Sequence, residues 1–80
     1  MISEAILAFV DPGNRPTILK HAGDTQTAAR WVFDDAVRNR LNRGDVSEAK
    51  EIASRILAAA DDSCKSVIQE SIRGLGWEAS

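Results

Sequence analysis

Tyrosine is absent, cysteine and histidine occur once each, and the aromatics come to two tryptophans and two phenylalanines. A lone Cys64 cannot close an intramolecular disulfide, and small secreted domains are usually stapled by several, so a reducing, cytoplasmic setting is expected. His21 has no second histidine, cysteine or carboxylate pair at ligand spacing, so no zinc motif is present and no metal or cofactor is expected. No run approaches the roughly 18 to 20 apolar residues that span a bilayer. The first ten residues carry Glu4 without Lys or Arg and lead into Asp11-Pro12-Gly13 instead of a small-residue cleavage site, so no signal peptide and no membrane partner is predicted. Positive charge is also scarce. Ten Lys and Arg face twelve Asp and Glu, a net charge of −2, which lacks the basic footprint of most autonomous nucleic-acid binders. Both prolines precede residue 17, and no repeat or linker is visible, so the 80 residues read as one small domain, 1–80. A chain this short has limited interior, and a deep substrate cleft would compete with the core for apolar side chains.

Against these absences stands a regular hydrophobic pattern. Ala5 to Val10 is a short apolar run ended by Asp11-Pro12-Gly13-Asn14, which has the residues of a type II turn with positive φ at Gly13. Thr17 to His21 mixes β-branched and polar residues and predicts a partner strand, giving a β-hairpin over about 5–21. Helix starts follow. Asp24 or Thr25 can cap a helix over 25–42 whose Ala29, Val32, Phe33, Ala36, Val37 and Leu41 share one face, with Gly44 as its stop. Asp45 and Glu48 fit a capping box opening a second helix over 46–60, with Ala49, Ile52, Ala53, Ile56, Leu57 and Ala60 inward and Glu51 paired to Arg55 outside. Asp61 or Asp62 would cap a third helix over 62–75, burying Cys64, Val67, Ile68, Ser71, Ile72 and Leu75. The alternative is one continuous helix from Val46 to Leu75. Gly76 and Trp77 suit a Schellman ending with Trp77 against Ile72. The predicted class is α+β, an N-terminal β-hairpin followed by three amphipathic helices packed on one face.

Few residues point to chemistry. Cys64, in a predicted first helical turn beside Lys65, is placed where a thiol pKa falls, but it also occupies an apolar position, and burial is the better-supported reading. A thiol-dependent enzyme would need His21 within its reach. Asp34-Asp35 and Asp61-Asp62 are adjacent pairs that diverge by about 100° on a helix, which suits solvation and capping and not an acid/base dyad. No catalytic residue is assigned.

Two surfaces remain. Trp31 falls on the far side of the first long helix from Phe33, beside Asp35 and Arg38. An outward tryptophan next to arginine is a good interface anchor, whereas one covered by the hairpin or a chain end would be structural. Arg38, Arg40 and Arg43 complement the negative end of that helix. Lys65, Gln69 and Arg73 form a row of donors on the last helix that could meet phosphates or base edges.

The segment Thr27-Ala28-Ala29-Arg30-Trp31-Val32-Phe33 after a hairpin, then Ala49 to Leu57, then Ser66 to Trp77, resembles a family of short alphaproteobacterial, largely rhizobial, proteins catalogued as domain of unknown function 982. The resemblance implies a bacterial protein and a fold, assigns no reaction, and carries over no functional residue. The sequence thus predicts a non-enzymatic, cytoplasmic protein-protein interaction module that self-associates through Trp31, Asp35 and Arg38. Its alternative is a small DNA-binding regulator using Lys65, Gln69 and Arg73.

Overall fold

The computed structural model describes residues 4–77, and its elements follow one another as α1 (Glu4–Leu7), α2 (Arg15–His21), α3 (Thr25–Phe33), a π-helical segment (Asp34–Arg38), α4 (Asn39–Asn42), α5 (Val46–Ala59) and α6 (Asp62–Gly74). There is no strand among the described residues. The expected α+β class and its hairpin over 5–21 are therefore corrected to an all-helical fold. The spacing of the first apolar run explains why. Ile6, Leu7 and Val10 are buried and Phe9 half-buried, a set that shares one side of a helical turn, whereas a strand would throw Ile6 and Leu7 to opposite faces. A short apolar run does not distinguish these cases by pattern alone.

The turn at Asp11 is present, but it leads into a helix. The Asn14 amide donates to the Asp11 carbonyl at 2.8 Å and the Gly13 amide to the Asp11 carboxylate at 2.9 Å. Gly13 does not take the positive φ of the expected type II turn. Pro16 then occupies the first turn of α2, where its missing N–H has no intrahelical partner to lose and its fixed φ favours the helix. β-branched Thr17 and Ile18 carry only a weak strand preference, and tertiary packing overrides it: Ile18 is buried as the anchor of α2 while Leu19 stays 56% exposed.

The long helices obey their end signals. Asp24 caps α3 by accepting the Thr27 amide at 2.7 Å, and Asp61 caps α6 by accepting the Cys64 amide at 3.2 Å. Ala60 turns extended at ψ 137°, so α5 and α6 are separate and the continuous-helix alternative does not occur. Gly44 (φ 83°) and Gly76 (φ 82°) each close a Schellman motif. At the first, Gly44 donates to Leu41 and Asp45 to Arg40; at the second, Gly76 donates to Arg73 and Trp77 to Ile72. The capping box at Asp45 does not form, because its side chain makes no capping bond and Glu48 is drawn instead to Arg40 Nε at 3.3 Å.

The helix from Thr25 to Asn42 was expected to be uniform, and its middle is not. Over Asp34–Arg38 the backbone makes i→i+5 bonds, which widen the turn and set later residues back around the axis. Ala36 and Val37 remain buried, but Leu41 comes out half-buried instead of joining the core stripe. Arg40 Nη1 donates to the Ala36 carbonyl at 2.6 Å, supplying a partner within the loosened ladder while its Nε holds Glu48 of α5.

Around this central helix, α6 and α2 pack against α3, α5 packs against the π segment, and α1 covers both α3 and α5. Phe33, Ile6, Ile56, Ile68, Val32, Val37 and Cys64 are enclosed completely, and no polar or charged residue among those described is buried. The molecule is only 18 Å across its shortest axis, so its concavities are grooves between helices.

Candidate functional site

Two grooves carry the surface chemistry. The first lies between α2 and the central helix, has a volume of about 380 Å³, and is lined by Asn14, Thr17, Ile18, Trp31, Asp34 and Asp35. The indole of Trp31 is half-buried, packed against the core cluster, and so is covered on one side and open on the other. Trp31 lies on α3, and Asp35 and Arg38 lie on the π segment that follows it. Asp35 accepts a hydrogen bond from Asn14 Nδ2 at 2.8 Å, tying the loop before α2 to the π segment. Arg38 pairs with Asp34 at 3.0 Å, both side chains well exposed. Trp31 and Asp35 thus line one groove, and Arg38 flanks it through Asp34.

The second groove, about 590 Å³, runs between α5 and α6 and ends at the Gly76 turn. Lys50, Ser54 and Ala58 come from α5, Lys65 from α6, and Trp77 from the turn, over a floor that includes Ala53, Leu57 and Ile72. Lys50 Nζ stands 5.7 Å from the centre of the Trp77 ring, within cation–π range. Sequence reasoning singled out Lys65 but for another role, assigned Trp77 to packing alone, and passed over Lys50. Its signal was available: Lys50 lies one residue past the inward Ala49, at the border of the apolar stripe.

The row Lys65, Gln69, Arg73 is not a single open face. Steps of four residues drift about 40° around a helix; here Lys65 borders the second groove, Gln69 is half-buried, and Arg73 is exposed. Asp61 and Asp62 stand at the start of the same helix, where phosphates would otherwise meet free amides.

The thiol of Cys64 is fully enclosed, and burial pushes its pKa up, outweighing the expected benefit of a first helical turn. His21 is exposed at the end of α2. Hydrogen bonding holds two carboxyls below the usual range, Asp24 through the Thr27 amide and Asp61 through the Ser63 hydroxyl at 2.7 Å, so both are bound into caps. No cluster of three or more His, Cys, Asp or Glu that could hold a metal ion occurs among the described residues. No described helix is long and apolar enough to cross a membrane. In the native protein at neutral pH, Cys64 is expected to resist a thiol reagent until denaturant is added; stoichiometric labelling without unfolding would show that the core opens around it.

No protein-family model matches the chain, nor does any curated protein or solved structure.

Proposed function

We propose that this chain is a non-enzymatic, cytoplasmic protein-protein interaction module whose contact surface is the Trp31 groove and whose partner is a second copy of itself. The observation that carries the reading is the half-buried indole forming a wall of an open groove with Ile18. Its inner side is fixed by packing, so little side-chain freedom is lost when the outer side is covered. The same face carries both signs of charge, with Asp34 and Asp35 on the groove and Arg38 beside them. A two-fold contact uses one patch twice, so each Arg38 would meet the carboxylates of the other copy. The enclosed, protonated thiol and the engaged carboxylates favour a binding role over nucleophilic or acid/base chemistry.

Light scattering during gel filtration tests the reading. The mass should rise toward a dimer with concentration, Trp31→Ala should weaken association about 30-fold, the scale of an interface hot spot, and Arg38→Glu should weaken it without touching the core. A native chain that stays monomeric at high concentration, or variants that associate as well as the parent, would overturn it.

A further inference from the structure

Trp31, Asp34 and Asp35 stand at i, i+3 and i+4 along the central helix, the spacing that makes side chains neighbours on one face, and all three line the groove beside α2. Each is half-buried, so their charges are screened less than on the open surface. Neither carboxylate is used up. Asp34 accepts from Arg38 Nε at 3.0 Å and Asp35 from Asn14 Nδ2 at 2.8 Å, both through Oδ1, and no described residue donates to the second oxygen of either. Arg38 reaches Asp34 from beside the groove without lining it, and its side chain is 60% exposed. An exposed i,i+4 pair of this kind is weakly held. Two neighbouring carboxylates repel one another, and a cation between them relieves that repulsion. The indole adds a preference of its own, because the face of a tryptophan ring attracts cations and a planar one can stack on it. Buried Ile18 supplies an apolar wall, and at about 380 Å³ the space falls within the range of small-molecule sites.

We propose that this groove binds a planar organic cation, an amidinium or guanidinium, stacked on the open face of Trp31 with its N–H groups donated to Asp34 and Asp35 and its apolar body against Ile18. Paired N–H groups in one plane match carboxylate oxygens in a way that a single ammonium does not. In one respect the proposal rests on the self-association reading: in a dimer, Arg38 of a second copy supplies the guanidinium. A free cation of the same shape then competes with the second copy for the groove.

Benzamidine is the probe, with benzamide as its neutral counterpart of the same shape. In a Trp77→Phe background Trp31 is the only indole, so its emission reports the groove. Benzamidine should quench that emission saturably with a Kd of about 1 mM or below. Benzamide should bind at least about tenfold more weakly, and so should benzamidine to the double variant Asp34→Asn with Asp35→Asn. Neither carboxylate belongs to the core, so circular dichroism of the double variant should match the parent. Glu70→Gln, at an exposed position on α6, should leave the affinity unchanged. Arg38→Gln frees Asp34 and should tighten benzamidine binding, whereas the self-association reading expects loss of this cation to weaken the dimer, so the two ideas fail separately. Saturating benzamidine should also return the mass of a dimer toward that of the monomer. Equal binding of benzamide, unchanged affinity in the double variant, or no saturable quenching would each overturn the cation site even if the chain dimerises. A dimer that persists with the groove saturated would overturn the competition. Benzamidine binding to a chain that never dimerises would uphold the site and remove only the second copy as its occupant.

Discussion

Phe33→Ala is expected to lower the unfolding free energy by about 3–5 kcal/mol. Phe33 is 1% exposed and heads the largest fully enclosed side chains, at the point where α3 passes into the π segment. Removing the ring deletes the transfer energy of a buried aromatic and leaves a cavity that the neighbours refill only partly. A chain of 80 residues has about 4–12 kcal/mol in total, so the variant should be largely unfolded in mild denaturant where the parent is intact. Urea unfolding followed by circular dichroism reads the result as a fall in midpoint with an unchanged slope. A loss below about 0.5 kcal/mol, the ordinary effect of a surface change, would show that Phe33 is not where the helix phase places it.

Ile6→Ala should cost about 2–5 kcal/mol, although α1 is a single helical turn near the chain start. Ile6 is fully enclosed, and α1 covers both the central helix and α5, so its loss opens the core from one end. Leu19→Ala provides the contrast. Leu19 is 56% exposed on α2, and its truncation should change stability by no more than about 0.5 kcal/mol. If the two substitutions proved equally mild, α1 would not be part of the core.

The two results bear on what was readable in the residues alone. Asp24, Gly44, Asp61 and Gly76 stand at helix ends for local reasons, since each caps or turns its own backbone, and such signals survive without knowledge of the tertiary fold. The N-terminal quarter had no such anchor. Its Pro, Gly and β-branched residues fit a hairpin locally, and only burial of Ile6, Leu7 and Val10 against distant helices decides for helix. The capping box failed for a related reason: Arg40, eight residues away, competes for Glu48. At the surface, Trp31, Asp35 and Arg38 could be grouped by their spacing on one helix. That Lys50, Lys65 and Trp77 line one groove could not, because the groove forms only when α5 folds back beside α6.

The widened turn at Asp34–Arg38 also gives the central helix slack in its length. A π bulge accommodates more chain per turn than an ordinary helix needs. Removal of one residue there would let the i→i+4 ladder close while Val32 upstream and Leu41 downstream kept their alignment. Chain shortening, ruinous elsewhere in a packed helix, should therefore be absorbed at this site, at the cost of the Arg40 bond to Ala36.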